Sequence, residues 1–187
     1  MSSTDSTQTT SPVVQHTSVS PASPLQYVWK LHYISPISKQ LQAWCPVYVS
    51  TFSTISQFWA VFNGIAPPTM LHVGTSLLLV KDKIEPRGEA ESNSSGGRLS
   101  VGIPLTSYDL MDNAWIHTVM AVIGEYFSSS ESLNACVCDV KSGYLRISLW
   151  IKDANDQEAI ETIKKEWALN LKISGKIQFY PFSLLSQ

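Results

Sequence analysis

Residues 134–152, NACVCDVKSGYLRISLWIK, contain two runs of alternating side chains that are joined by a short turn. The first run is rich in Val and Cys, and the second is rich in Ile, Leu and Trp, as β-strands are. Gly143 gives the turn the backbone freedom that a tight connection needs. The stretch therefore predicts an antiparallel hairpin.

Other segments predict the rest of the fold. Four of them are apolar or alternating and indicate strands: YVWKLHY (27–33), SLLLVKD (76–82), RLSVGI (98–103) and KIQFYPF (176–182). Three have the period of a helix: STISQFWAVFNGI (53–65), YDLMDNAWIHTVMAVIGEYF (108–127) and NDQEAIETIKKEWALNL (155–171). Strands joined by short turns, together with three helices, predict an α+β fold with the helices packed on one face of the sheet.

The composition describes one globular domain that follows a polar tail. The chain has 187 residues, of which 44% are hydrophobic and 15% are charged, and these values are typical of a single folded domain. Residues 1–22 are half Ser and Thr, and such a segment buries too little apolar surface to fold. We predict a disordered tail over residues 1–22, either passive or regulated by phosphorylation, and a folded domain over residues 23–187.

Charge and motifs exclude several classes of protein. The formal net charge is −2, so a nucleotide site would need a local basic patch. The sequence has no P-loop, G-x-S-x-G, H-E-x-x-H or C-x-x-C motif, and we predict a binding protein rather than an enzyme, with no cofactor and no metal. The N-terminus lacks a signal-peptide pattern, and no apolar run reaches the roughly 18 residues of a membrane helix. These features predict a cytoplasmic protein.

Two features leave alternatives open. Cys136 and Cys138 alternate along a predicted strand and share one face, which fits a metal or redox pair or, as we favour, two small buried hydrophobic residues. The helix predicted over residues 108–127 is apolar on more than one side, because Ile116 and Met120 lie off its main apolar stripe. Either this helix is deeply buried or it exposes a patch for a partner.

Short aromatic and charged segments follow one another in a distinctive order. They are SPLQYVW (23–29), Trp44, QFWAVFNGI (57–65), LLLVKDKIEP (77–86), SSGGRL (94–99), WIHTVMAVIGEYF (115–127), VKSG (140–143), ISLW (147–150) and EAIETIKKEW (158–167). Over residues 23–182 this order and spacing resembles the eukaryotic translation initiation factor 4E family, the mRNA 5′-cap-binding proteins. The resemblance implies a curved, mainly antiparallel sheet with three helices packed on its convex face.

The resemblance also implies a site for 7-methylguanosine on the concave face. Family members stack the cationic base between two tryptophans, by cation–π attraction. The first tryptophan matches Trp44, but the second position holds Gly88, preceded by Arg87. Three alternatives follow: Arg87 stacks on the base, another aromatic residue enters from a neighbouring loop, or the cap is bound poorly or only with contributions from further nucleotides.

Four other positions match cap-binding residues of the family. Glu89 matches the glutamate that accepts hydrogen bonds from guanine, a charge-assisted pair that specifies the base. Trp150 matches the tryptophan that contacts the N7-methyl group. Lys141 and Arg146 match basic residues that contact the triphosphate, although Lys141 replaces an arginine and offers a point charge instead of a fork.

On the convex face the resemblance implies a surface for a Tyr-x-x-x-x-Leu-hydrophobic helix of a scaffold or repressor, of the initiation factor 4G or 4E-binding type. Trp59 matches the key tryptophan of that surface, and His117 replaces a glutamate that pairs with the partner. The supporting residues are Pro24, Ile55, Ile116, Met120 and Ile123. We predict a monomer, not bound to a membrane, that binds capped mRNA and recruits a scaffold protein; the alternative is an adaptor or repressor with weak or no cap binding.

Overall fold

The computed structural model describes residues 23–40, 44–106, 108–172 and 176–184, except for the side chains of residues 39 and 40. The predicted disordered tail, residues 1–22, lies outside the described residues. That assignment, and with it the predicted domain boundary, stays a prediction.

Seven strands form one sheet within the described residues, in the order β2-β1-β3-β5-β6-β4-β7. Every neighbouring pair is antiparallel. The predicted hairpin forms as β5 and β6, and the turn residue Gly143 has a φ of 82°, which a residue with a side chain rarely adopts. The strands are β1 (Pro24–Ile34), β2 (Val47–Thr54), β3 (Ser76–Lys81), β4 (Gly97–Pro104), β5 (Leu133–Lys141), β6 (Tyr144–Ile151) and β7 (Gln178–Pro181).

The three predicted helices are confirmed with shorter bounds. They are α2 (Ile55–Phe62), α3 (Tyr108–Ile123) and α4 (Gln157–Leu171), and a short α1 (Pro36–Gln40) precedes them. The side chains of Thr54 and Asp156 accept hydrogen bonds from the backbone N–H groups of Gln57 and Ala159, so a capping residue fixes the start of α2 and of α4.

Strand β2 is the one strand of the described sheet that the sequence reasoning missed. Its side chains are mostly exposed or half-buried, and only Phe52 is fully buried. Since β2 pairs only with β1 and forms one edge of the described sheet, it lacks the continuous apolar pattern of the central strands. The predicted helix over residues 53–65 includes the last two residues of β2.

The main core lies between the convex face of the sheet and the helices. Alternate side chains of β3, β5 and β6 point into it, as the period of two in a strand requires; among them are Leu79, Cys136 and Cys138, all 0% exposed. Both cysteines are thiols, and burial raises the pKa of the Cys136 thiol. The interpretation of the pair as small buried hydrophobic residues therefore holds, and the predicted α+β class is confirmed.

A buried hydrogen bond joins α3 to α4. The indole Nε1 of Trp167 donates to the hydroxyl of Thr118 over 3.0 Å, and that hydroxyl donates to the carbonyl of Ala114 over 2.7 Å. Both side chains are 0% exposed. Because a buried N–H without a partner is costly, this pair fixes how the two helices pack.

We expect Thr118→Val to lower the free energy of unfolding by about 1–3 kcal/mol, since it leaves the buried indole N–H unsatisfied. Urea denaturation measures this loss. The control Thr162→Val, at a half-buried position of α4, should change stability by less than about 0.5 kcal/mol. Equal losses in the two variants would contradict the assignment.

Candidate functional site

The concave face of the sheet carries the second apolar cluster, which we call the concave cluster. It comprises Ile34, Leu78, Val80, Ala135, Val137, Trp150 and Phe182, with Trp44 packed against it. Cross-strand register orders this face in rows. One row contains Val80, Ala135, Trp150, Arg98 and Tyr180, and another, four residues along the strands, contains Ile34, Ser76, Asp139, Arg146 and Gly102.

Trp44 lies against both the concave cluster and the loop that follows β3. Its indole Nε1 donates a hydrogen bond to the carbonyl of Pro86 over 2.7 Å, and its side chain is half-buried. The predicted residues Arg87 and Glu89 come directly after this contact in the chain. The structure therefore brings Trp44 and residues 85–89, called the recognition loop below, to one end of the concave face.

Asn93 holds the recognition loop in place. It is 0% exposed, and its amide Nδ2 donates to the carbonyls of Glu85 and Arg87 over 2.9 and 2.7 Å. Its Oδ1 accepts a hydrogen bond from Nδ2 of Asn134 over 2.9 Å. Sequence reasoning missed Asn93 because an asparagine within SNSSGG resembles an ordinary loop residue, and only the fold shows which carbonyls it reaches.

Arg87 and Glu89 themselves are exposed. The Nε of Arg87 lies 3.6 Å from a carboxylate oxygen of Glu85, with side chains that are 46% and 60% exposed. An ion pair this exposed contributes little to stability and leaves the guanidinium able to change partners. The Glu89 side chain is exposed at the rim of the site, where a carboxylate is able to accept hydrogen bonds from a ligand.

A phenylalanine ring occupies the space beside Gly88. A Cβ built on Gly88 would lie 2.9 Å from Cδ1 of Phe182, closer than real Cβ contacts. The Phe182 ring meets the ring of Trp150 edge to face, with centroids 5.2 Å apart and planes at 75°. Trp150 is consequently only 4% exposed, and the Phe182 ring covers part of the indole that the sequence predicts to contact a methyl group.

A buried carboxylate pairs with one of the predicted phosphate ligands. Asp139 is 4% exposed, and one of its oxygens accepts hydrogen bonds from Nε and Nη2 of Arg146 over 3.0 and 2.7 Å. The hydroxyl of Ser76 donates to the other oxygen. Arg146 is therefore held in a charge-assisted pair, and Lys141 lies two residues beyond Asp139 at the end of β5.

Arg98 is a basic residue of this face that the sequence reasoning did not assign. Its guanidinium carbon lies 5.8 Å from the ring centroid of Tyr180, and its Nε is buried with no hydrogen-bond partner among the described residues. Burial and the neighbouring Arg146 lower the pKa of Arg98, and Asp139 offsets part of this effect. Since arginine keeps its charge in proteins, the arrangement suits an incoming anion.

The convex side carries an apolar groove between α2 and α3. The groove encloses about 300 Å³ and is lined by Trp59, Phe62, Ile65, Trp115 and Ile116, among other residues. The Trp59 side chain is 39% exposed, which is unusual for so large an apolar group in a folded protein.

The remaining predicted partner residues fall into two groups. Pro24 and Ile55 are both exposed. They lie close together, because the N–H of Ile55 donates to the carbonyl of Ser23 over 3.0 Å. On α3, His117 is exposed and Met120 is half-buried. Ile123 is only 6% exposed and belongs to the main core, so it supports the surface from below.

Comparison with known proteins identifies the family. The family model for eukaryotic initiation factor 4E matches residues 24–185. The chain belongs to this family. Factor 4E-1 of Cucumis melo is 35% identical over 161 residues, covering 83% of this chain and 66% of the relative. That of Nicotiana tabacum is 34% identical over 161 residues, covering 83% and 70%. The match to the melon relative thus spans just under two thirds of its length.

Solved structures of the family share the fold. Factor 4E-3 of Ascaris suum, solved with an m2,2,7G cap, has 29% identity and a TM-score of 0.80, covering 86% of this chain and 91% of the other. Factor 4E-3 of C. elegans, solved with the 4E-binding protein Mextli, has 27% identity and a TM-score of 0.81, covering 89% and 97%. Schistosome factor 4E with m7GpppG and 4E-BP has 27% identity and a TM-score of 0.82, covering 89% and 92%.

Membership in the family confirms the resemblance. In the part of the chain that the structure describes, no helix is both long and apolar enough to cross a membrane. The same residues contain no group of three or more His, Cys, Asp or Glu side chains that could together hold a metal ion.

We expect Asn93→Ala to destabilise the recognition loop, because it removes two buried donors and one buried acceptor, each worth about 0.5–1.5 kcal/mol. Limited proteolysis should cut residues 85–92 faster, and urea denaturation should register a loss of about 1–3 kcal/mol. Ser94→Ala is the control, since its hydroxyl makes one exposed hydrogen bond of 3.3 Å. Unchanged proteolysis in Asn93→Ala would count against the anchoring role.

Proposed function

We propose that this protein binds the 7-methylguanosine 5′ cap of mRNA on the concave face and recruits a scaffold protein on the convex face during translation initiation. The observation that carries the proposal is the convergence at one end of the concave face. Trp44, the recognition loop with Glu89, and Trp150 come from three separate elements and meet there, with Arg98 opposite Trp150 and Arg146 four residues along β6.

The base recognition follows from the residue types. Methylation at N7 makes guanine cationic, and a cation stacked on an indole gains about 0.5–2 kcal/mol, more when water is excluded. Trp44 supplies an indole that already lies next to the recognition loop, since it contacts Pro86. The carboxylate of Glu89 then accepts hydrogen bonds from the base N1–H and exocyclic amine, which distinguishes guanine from adenine.

The cap triphosphate would meet a mixed set of charges. Arg98, Lys141 and Arg146 are cations, and the carboxylate of Asp139 partly neutralises them. Arg98 offers a buried Nε without a hydrogen-bond partner among the described atoms, so it is the donor best prepared for a phosphate oxygen. Because Arg146 is already bound to Asp139, the carboxylate cancels much of its field at a distance, and we expect Arg146 to attract the triphosphate less than Arg98 does.

Several structural neighbours support both halves of the proposal. The Ascaris suum factor was solved with m7G and m2,2,7G caps. The C. elegans factor was solved with Mextli and a cap analogue, and the schistosome factor with m7GpppG and 4E-BP. We therefore propose, for this chain, capped mRNA as one ligand and a protein helix as the other. The proposal includes a monomer in the cytoplasm, where translation takes place.

The groove between α2 and α3 supports the second half. An amphipathic helix with Leu and a following hydrophobic residue buries its apolar face in such a groove. Trp59 and Ile116 line it, and Ile55 adds exposed apolar surface nearby. His117 offers no carboxylate to a basic partner residue, so we expect a partner that relies on apolar contacts more than on an ion pair.

A second candidate is an adaptor or repressor with weak or no cap binding. Three contacts favour weakened affinity: the Trp44 indole is bonded to Pro86, Phe182 covers Trp150, and Arg146 is paired with Asp139. Each must be broken or bypassed before a cap is fully engaged, and each costs part of the binding free energy.

Titration with 7-methyl-GTP, followed by quenching of tryptophan fluorescence, tests cap binding. We expect the wild-type protein to bind 7-methyl-GTP more tightly than GTP. Glu89→Gln should weaken binding about ten- to a hundredfold, the cost of losing a charge-assisted pair. Glu91→Gln, which changes an exposed carboxylate two residues along, should bind like wild type. Equal affinity for GTP and 7-methyl-GTP would reject cap recognition.

A peptide with the Tyr-x-x-x-x-Leu-hydrophobic pattern tests the convex surface. Trp59→Ala should weaken binding of the labelled peptide about thirtyfold or more, as expected for a central aromatic residue, in a fluorescence-polarisation assay. Leu169→Ala removes an apolar side chain on α4 that is 65% exposed, and it should leave peptide affinity unchanged. If the wild-type protein binds the peptide but not the cap, the result favours the adaptor. Unchanged peptide affinity in Trp59→Ala would refute the groove as the docking site.

A further inference from the structure

We propose that Phe182 supplies the second aromatic ring of the base-binding site, in the space that Gly88 leaves open. This inference rests on the proposed cap binding and names the residue that faces the base opposite Trp44. Neither the sequence pattern nor the position of Phe182 in the chain suggested it, since the expected place for this ring is residue 88.

The backbone at Phe182 is fixed to the sheet. Phe182 follows β7 directly, and its N–H donates to the carbonyl of Gly96 over 3.0 Å. The preceding residue, Pro181, pairs with Gly97 of β4. The ring is 5% exposed and belongs to the concave cluster. Phe182 is therefore a preorganised wall of the site, and its position does not depend on a long loop.

Gly88 and Phe182 form one unit. A Cβ on residue 88 would lie 2.9 Å from Cδ1 and 3.0 Å from Cε1 of the Phe182 ring. Any side chain at position 88 would project into the space that this ring already fills. The recognition loop and the segment after β7 thus share one aromatic position, and in this chain the ring comes from residue 182.

The surroundings of the ring suit a cationic base. Phe182 meets Trp150 edge to face at 5.2 Å, and Trp44 packs against the same cluster. Several aromatic side chains in contact with one ligand are a common means of binding a cation. Arg87 is a poorer stacking partner, because a guanidinium repels a cationic base at close range, and its side chain is 46% exposed and directed to Glu85.

The site opens on the Trp44 side. Trp44 contacts the recognition loop through the bond from its Nε1 to the carbonyl of Pro86, a part-buried hydrogen bond that a ligand is able to replace. Phe182 is anchored by strand pairing and by its backbone bond to Gly96. A base that enters therefore displaces the indole of Trp44 from Pro86 and inserts between this indole and the ring of Phe182.

The test compares affinities for 7-methyl-GTP in two variants, one that removes the ring of Phe182 and one that displaces it. Phe182→Leu keeps an apolar side chain and removes the aromatic face. Gly88→Ala keeps Phe182 and forces its ring to move. We expect each variant to bind about three- to thirtyfold more weakly, the range of a lost cation–π contact. Circular dichroism and urea denaturation monitor the fold of every variant.

Matched controls separate this effect from general damage. Leu184→Ala changes a side chain two residues later that is 67% exposed, and it should bind like wild type. Gly64→Ala places a Cβ at 3.4 Å from the backbone oxygen of Val61, next to the convex groove, so a glycine away from the concave face should tolerate the substitution. Phe182→Tyr retains the ring and should retain most of the affinity, which keeps the test decisive if Phe182→Leu folds poorly.

The outcomes distinguish this inference from the proposed function. Weakened binding in both Phe182→Leu and Gly88→Ala, with normal controls, supports it. Wild-type affinity in both, while Glu89→Gln loses binding, overturns the role of Phe182 and leaves cap binding intact. Tighter binding in Phe182→Leu also overturns it, because the ring would then obstruct the base. Absence of binding by the wild-type protein overturns both proposals.

Discussion

Antiparallel pairing of β4, β5 and β6 is the constraint on which the concave site depends. The register sets Trp150 opposite Ala135 on one side and Arg98 on the other, and it sets Arg146 opposite Asp139. Because side chains alternate along each strand, a slip of one residue would move this whole set into the core and expose its apolar neighbours. The burial of Leu149 and Ile147 behind the sheet, both 0% exposed, holds that register.

The concave face combines several cations with one buried carboxylate. The chain as a whole carries a formal charge of −2, and the concave face concentrates cations near one buried carboxylate. Asp139 orders Arg146 through two hydrogen bonds, but it also subtracts one positive charge from the field that an anionic ligand would meet. Ordered side chains lose less entropy on binding. The pairing of Asp139 with Arg146 therefore lowers the entropic cost of binding an anion, while it weakens the electrostatic attraction.

The hairpin, the three helices and the α+β class could be predicted because each rests on local periodicity. The surface groove could be predicted only in part: the pattern of α3 does not separate Ile116, which lines the groove, from Ile123, which lies in the core. The concave site was harder still. Phe182 and Gly88 are far apart in the chain and meet only through the β4–β7 pairing, and a tertiary contact of this kind has no periodic signature.

A crystal structure with 7-methyl-GTP bound would test the central claim most directly. The account predicts the base between the indole of Trp44 and the ring of Phe182, with the bond from Trp44 to Pro86 broken and the carboxylate of Glu89 within hydrogen-bonding distance of the base. A base bound away from Phe182, or a Phe182 ring expelled from its place beside Gly88, would contradict the account.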